Sequence, residues 1–483
     1  MKTTFIQEPE LEFGGGRHID IRFGLMHHGP LDARVAGGAR TCRVGIVGDG
    51  EGIDNFRAWI DSCRSGIPAK QTRLKTLFPK FPGFGDDGCL PDFLVHESWS
   101  RLIPARDTES LCQIEDTTEF TKASVDRYVS EAASLIEKGQ PDVVICLLPA
   151  PLIKRIDVSG PVHRGPRSNR PQHNRALVWH DYFKAECLRL SRPVQLSRPG
   201  TFGGDVQRYT SDGAPSLLIQ DEATRAWNFF CALYYKAGGV PWRLIRDASE
   251  LLTCYVGVSF YHDRQEGQDE SVQTSVAQVF NERGEGVVIR GAPAQIRKDD
   301  RTPHLSEEQS ASLLSEAIER FRQEHKTMPA RIVLHKSSWF DEAERCGVNS
   351  AAADHRIEVV DLLSLRRTMT RFFRKSGAYP PLRGTGIRLD ESHVLFYTFG
   401  SVDFYKSYPG LYTPRPLLVQ IDQTSTGVPT LLTEILGLTK MNWNSTQFVN
   451  SHPITLAASR SVGDILRYAP RDARIQARYS FYM

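Results

Sequence analysis

Among the residues of this chain, His180, Lys184 and Gln195 have types and a spacing suited to chemistry. The first two stand four apart in Trp179-His180-Asp181-Tyr182-Phe183-Lys184-Ala185-Glu186-Cys187. There Phe183, Cys187, Leu188 and Leu190 form an apolar helical stripe that Pro193 ends. Four residues make about one turn, so the imidazole and the ammonium leave one helix face. Gln195 opens the strand that follows, Pro193-Val194-Gln195-Leu196. Two donors on a helix and one amide on the next strand can converge on a small anion, and a terminal phosphate suits them by charge and by hydrogen bonding. The plainer reading of a His and a Lys at this spacing is a solvated helix face.

The elements that would position these groups alternate between strand and helix. Cys42 to Gly48 reads as a short buried strand, followed by a helix to about Cys63. A helix over 122–138 leads into a second buried strand from Asp142 to Leu148. This alternation predicts a Rossmann-like α/β layer structure for the first half. The loop Gly45 to Gly52 lacks the GxGxxG spacing, and Asp49 and Glu51 would repel a pyrophosphate at the helix start. A dinucleotide-binding α/β protein is therefore the weaker alternative. Residues Ile153 to Arg175 read as a basic surface loop, and Arg198 to Gly213 as a polar connection. Gly and Pro density makes residues 1–40 irregular chain.

A second unit begins near Leu251. A strand from Leu252 to Tyr261 precedes a hairpin over Thr274 to Ile289 that turns at Glu282 to Gly286. An amphipathic helix from Ser306 to His325 and two buried strands, Arg331 to Lys336 and Ile357 to Leu362, follow. An antiparallel hairpin followed by α/β units is the order of an RNase H-like fold.

Composition excludes several classes. Lys plus Arg is 60 against 57 for Asp plus Glu, so any nucleic-acid surface must be a local groove. The nine cysteines include no CxxC pair, which points to reduced thiols rather than disulfides or a zinc site. No apolar run reaches membrane-spanning length and no leader pattern opens the chain, so a soluble, cytoplasmic protein is expected.

The segment from His180 to Gln195 resembles the guide-anchoring motif of the MID domain in Argonaute proteins. There an aromatic or His residue, a Lys four later and a Gln about a dozen later hold the 5′-phosphate of a guide strand. The family has a further Lys on a helix running into a Gly-Gly turn, and Lys236 in Tyr235-Lys236-Ala237-Gly238-Gly239 fits it. The basic residue many members carry one turn earlier is Ala232 here. The resemblance implies that Mg²⁺ replaces that contact, bridged to the phosphate by Gln195 and the carboxylate of Met483 at the apolar ending Ala477 to Met483. An ordinary packed terminus is the alternative for that ending.

In cleaving PIWI domains, acidic side chains clamp two divalent ions, which neutral hydroxyls cannot do. The positions matching those acids are Ser259 after Gly257-Val258, Ser337 after Lys336, and about Ser459 before Arg460. Asp263 and Asp341 each come four residues too late. The resemblance thus implies an extended segment over 1–40, a MID domain over 41–250 and an inactive PIWI domain over 251–483. It describes a short prokaryotic Argonaute holding a guide RNA and pairing it with single-stranded target DNA. The expected partner is an APAZ-domain effector, sirtuin-like and NAD-consuming or else of TIR or nuclease type, acting in abortive-infection immunity. A guided nuclease with displaced acids remains the rival.

Overall fold

The computed structural model describes the chain except for residues 1, 34–40, 86–89, 160–176, 203–207, 210–214, 217–219, 248, 263–271, 281–285, 297–301, 378, 409, 411, 448–449 and 471–474. In the first half, four parallel strands run in the order Phe93–Leu102, Cys42–Gly48, Val143–Leu147 and Val194–Ser197. A parallel sheet covered on both faces needs apolar residues at successive positions. Val143–Leu147 is buried throughout. Val143 and Ile145 face one core with Phe56 and Trp59, while Val144 and Cys146 face another with Tyr128 and Phe183. The covering helices are Gly50–Arg64, Thr117–Gly139 and Trp179–Cys187. The α/β reading of this half therefore holds.

The second half is built on a nine-stranded mixed sheet. Its strand Thr253–His262 is flanked on one side by Val272–Phe280 and, at the sheet edge, Val288–Pro293, both antiparallel to their neighbours. On the other side come Arg331–Lys336 and Val359–Arg367, both parallel. This order, a three-strand meander whose first strand then pairs with the fourth, is the RNase H-like arrangement. The turn of the expected hairpin, 281–285, lies outside the described residues. The helix Glu307–His325 starts at Ser306, whose side chain and that of Gln309 exchange capping-box hydrogen bonds. It packs with Glu342–Asp354 on one face of the sheet, and Ile454–Leu466 lies on the other.

The halves share one core. Tyr235 and Trp443 approach to 4.6 Å between ring centroids, and the Trp242 indole donates to the Lys440 carbonyl at 3.1 Å. Among the described residues no helix is long and apolar enough to cross a membrane, and eight cysteines are free thiols.

Two expectations are corrected. Ile153 to Ser159 belongs to the helix Ala150–Ser159, because Leu152 and Ile153 bury themselves in the core. The rest of that predicted basic loop, 160–175, lies outside the described residues. Residues 1–40 are not irregular throughout. They contain the strands Lys2–Phe5, Leu11–Phe13 and Gly16–His18 and the helix Ile21–His28, which Asp20 caps. Lys2–Phe5 extends the nine-stranded sheet by pairing with Thr385–Arg388, and Leu11–Phe13 pairs with Arg243–Leu244. The glycines that read as breakers include sites of close approach: a Cβ at Gly24 would stand 2.2 Å from the Phe13 ring.

Glu8 locks this opening segment to the second sheet. Its carboxylate accepts from Arg383 Nε at 2.7 Å and lies 3.2 Å from Lys440 Nζ, with both cations fully buried. Burial alone would raise the Glu8 carboxyl, yet Arg383 and Lys440 outweigh it and hold it below the usual range. A depressed carboxylate adds stability that is complete above its unfolded pKa of 4.5 and is lost as pH falls through the lower folded value. Glu8→Ala should leave two buried cations unanswered and lower stability by about 3–5 kcal/mol in urea unfolding at pH 7. Its deficit should shrink below pH 4.5, where the wild type is losing the same interaction; equal deficits at pH 7 and pH 3 would remove the ion pair from this account.

Candidate functional site

The Trp179–Cys187 helix is pinned by its own aromatic residues. Trp179 and Phe183 stack at 5.1 Å, and the Trp179 indole donates to Ser124 Oγ at 2.8 Å on the Thr117–Gly139 helix. That rotation turns Lys184 inward, where it is 1% exposed. Its ammonium donates to the Val194 carbonyl at 2.6 Å and to the main-chain oxygen of Met483. Lys236 ends the helix Glu222–Lys236 at the joint between the two halves and is 2% exposed. Its Nζ has no hydrogen-bond partner among the described residues. Burial, and then the neighbouring Lys184, push its pKa well below that of a free lysine. Lys184 is pulled down to about 8, chiefly by burial.

Gln195 is half-buried on the strand that Lys184 touches. Its Nε2 donates to the Leu196 carbonyl at 2.7 Å, while its Oε1 is buried without a donor among the described residues. Met483 packs under the same joint with Tyr482 and Tyr235. The structure thus brings Lys184 together with Lys236, Met483 and the start of the Gln195 strand. His180 is not brought in with them. Its side chain is 54% exposed, and Nδ1 lies 3.0 Å from Asp181 Oδ1. A four-residue spacing gives a common helix face, but the inner turn of this helix is buried and the outer turn is not.

Lys236 Nζ and Gln195 Oε1 are thus each buried without a hydrogen-bond partner among the described residues. Such buried groups are costly unless something answers them. A dianionic oxyanion would answer both cations with charge-assisted bonds. The oxygen donors, Gln195 Oε1 and the Met483 main-chain oxygen, are of the kind Mg²⁺ takes. Beside two ammonium groups a bare dication is repelled, so this set fits Mg²⁺ in company with the anion. The Gly45 to Gly52 loop makes no such site, because Asp49 caps the helix and accepts from Gly52 N at 3.3 Å.

The second candidate region is the end of the central strands in the nine-stranded sheet. Val258 and Lys336 are paired in register and line one small cavity with Leu313, Phe340 and Glu344. Side chains alternate along a strand, so Ser259 and His335 face the opposite side, toward Ile454–Leu466. There His335 Nδ1 lies 2.8 Å from Thr455 Oγ1, and Ser459 follows one turn later, fully buried. Ser337 continues the ladder, its N–H donating to the Val258 carbonyl at 3.3 Å. Ser259, inside the strand Thr253–His262, and Ser337, just past the end of Arg331–Lys336, therefore lie on neighbouring strands, with Ser459 on the helix that packs across them. Sequence reasoning missed the imidazoles here. His335 and His452 are both pushed down to about 3, by burial first and then by Arg331 for one and Arg460 and Arg367 for the other. The residues named at this corner are hydroxyls and neutral imidazoles.

Asp263 lies outside the described residues. Asp341 belongs to another cluster, with His304 and Glu344, whose ligand atoms lie within 4.8 Å of one another. Lys336 Nζ donates to Glu344 Oε2 at 2.5 Å, and Asp341 and Glu344 exchange the capping-box bonds of the Glu342–Asp354 helix. A resident ammonium and a helix start thus engage these carboxylates. The signal for this was legible as Asp341-x-x-Glu344.

The geometry defines an α/β protein with two main sheets, the second RNase H-like, and two buried lysines at their joint. Solved structures share this fold. Clostridium butyricum Argonaute, bound to a guide DNA and a 19-mer target DNA, matches 98% of this chain over 54% of its own length at 14% identity, with a TM-score of 0.63. Drosophila Piwi matches 99% over 56% of its length at 11% identity and a TM-score of 0.60. Aa-Ago with externally bound siRNA matches 100% over 56% at 15% identity and a TM-score of 0.58. The fold is that of the MID and PIWI parts of Argonaute and Piwi proteins, and the chain spans a little over half the length of each. No protein-family model and no curated protein matches the sequence.

Lys236→Met removes a buried amine that has no hydrogen-bond partner among the described residues and keeps the volume. The ligand-free protein should therefore gain roughly 1–3 kcal/mol, the usual cost of an unsatisfied buried polar group. Urea denaturation measures this, and a loss of stability instead would mean that the amine is satisfied in the folded state.

Proposed function

We propose that this chain is a guide-binding protein that holds a guide RNA by its 5′-phosphate and presents it to single-stranded DNA. One observation carries the reading: Lys236 Nζ and Gln195 Oε1 are buried without hydrogen-bond partners among the described residues, and Lys184, whose charge acts on Lys236, donates to the carbonyl of Val194, next to Gln195 in the chain. A terminal phosphate bears a second negative charge that internal phosphates lack, so two buried cations discriminate the end of a strand from its middle. Gln195 and Met483 would hold Mg²⁺, which would supply further positive charge beside the phosphate. His180, at the exposed end of the helix, meets the strand as it leaves the pocket. Sequence is then read by base pairing, as in other guided systems. The Argonaute-type fold supports this reading, and the solved Clostridium butyricum protein carries a guide and a target strand.

In this reading the second domain does not cut. Ser259, Ser337 and Ser459 stand at the corner where two dications would need carboxylates. A binder that does not cut acts through another subunit. The reading assigns it an APAZ-domain effector, sirtuin-like and NAD-consuming, switched on when the loaded complex meets invading DNA. The protein is then a short, inactive Argonaute of abortive-infection immunity.

Lys184→Ala combined with Gln195→Ala should weaken loading of 5′-phosphorylated RNA by roughly a hundredfold, the worth of two charge-assisted bonds, and hardly affect 5′-hydroxyl RNA. Filter binding with both RNAs, and with DNA of the same sequence, reads this out. Equal losses for the two ends would discredit the pocket. Incubating the loaded protein with labelled target and Mg²⁺ or Mn²⁺ tests the second part: the target should stay intact, and a cut abolished by mutating Asp341 or Glu344 would install the nuclease instead. Co-expression with the product of the neighbouring reading frame, followed by an NAD consumption assay with and without target, tests the partner.

A further inference from the structure

A cleft of about 290 Å³ opens at the opposite end of the central strands from the serine corner. Three parts of the chain meet there: the opening segment at Pro9 and Glu10, the crossing between the two halves at Leu244 to Leu251, and the helix Val428–Leu438. Gly437 lets that helix come close, since a Cβ there would stand 3.0 Å from Leu244 Cδ2. Pro9, Leu244 and Leu251 give the cleft apolar walls.

Its polar side chains are biased toward acceptors. On the floor, Glu434 Oε1 takes the Tyr255 hydroxyl at 2.9 Å and one Arg331 nitrogen, whereas Oε2 takes a single Arg331 nitrogen at 3.0 Å. A carboxylate oxygen accommodates about two donors, so Oε2 has a position left. Arg331 is spent on Glu434 and on Asp361, 2.7 Å from its Nε. Thr253 and Thr433 donate their hydroxyl protons to the Leu251 and Pro429 carbonyls at 2.9 Å, which leaves those oxygens only lone pairs to offer. The exposed carboxylates of Glu10 and Glu250 stand at the rim with one guanidinium, Arg246.

We propose that this cleft binds a guanidinium or ammonium group on an aliphatic stem, the stem lying along the apolar walls and the cation reaching Glu434 past the rim carboxylates. The inference is independent of guide binding. A pocket of this size with apolar walls and a few convergent polar groups has the general build of a ligand site. Its acceptors select a ligand rich in N–H donors, and its carboxylates select a cation. The occupant touches the opening segment, the crossing and the second sheet at once, so it would also brace the joint between the halves.

The test uses the full chain and isothermal titration with three probes: capped arginine amide, capped norleucine amide and free arginine. Capped arginine should bind at least roughly tenfold more tightly than capped norleucine, and Glu10→Lys with Glu250→Lys should weaken it by about the same factor. Leu251→Trp, a change at an exposed position, should fill the cleft and abolish binding with the circular dichroism unchanged. Tighter binding of capped than of free arginine assigns the cleft to a side chain of a partner polypeptide, and the reverse order to a small amine; both outcomes uphold the cation site. Capped arginine binding no better than norleucine, or equally well to wild type and both variants, would overturn it.

Discussion

Burying two lysine side chains at one joint is the constraint on which the rest of this structure depends. An ammonium moved out of water loses several kcal/mol of hydration, and a second one nearby adds repulsion. Only a rigid surround keeps such groups inside. Here the surround comprises the stacked Trp179 and Phe183, the Val194–Ser197 strand, the buried helix Glu222–Lys236 and the packed residues Tyr479 to Met483. Each comes from a different stretch of the chain, so the pocket exists only once both halves have docked. The Val194 carbonyl and the Met483 oxygen satisfy Lys184, whereas Lys236 has no such counterpart among the described residues.

The opening segment makes this joint possible by being shared. Lys2–Phe5 lengthens the second sheet, Glu8 neutralises two cations inside the second half, and Leu11–Phe13 pairs with the crossing strand Arg243–Leu244. Removing a carboxylate from such a site costs far more than an exposed pair would, because the desolvation of its partners is already spent. A strap of this kind fixes how the lysine-bearing helix meets the second sheet, which in turn fixes the pocket.

The two ends of the central strands have opposite characters. At one stand the hydroxyls of Ser259, Ser337 and Ser459 and the neutral imidazoles of His335 and His452, and the cation Lys336 lies on the other face, paired with Glu344. At the other, Arg331, Asp361 and Glu434 form a buried ion network beneath an open cleft.

Much of this was written locally. Runs such as Cys42 to Gly48 and Arg331 to Lys336 announce strands, and Ser306 with Gln309 announces a helix start, because burial and capping act over a few residues. The lysines of the joint and the serines of the second sheet could be picked out in the sequence as well. What the sequence could not decide was which members of a stripe would be inside. His180 and Lys184 share a spacing, yet packing against Ser124 and the second half buries one and leaves the other in water. The short strands Lys2–Phe5 and Leu11–Phe13 escaped reading too, since three or four residues hold as strand here through partners more than two hundred positions away. Local propensity is a property of a segment. Burial of a charge, and the pairing that compensates it, belong to the whole fold.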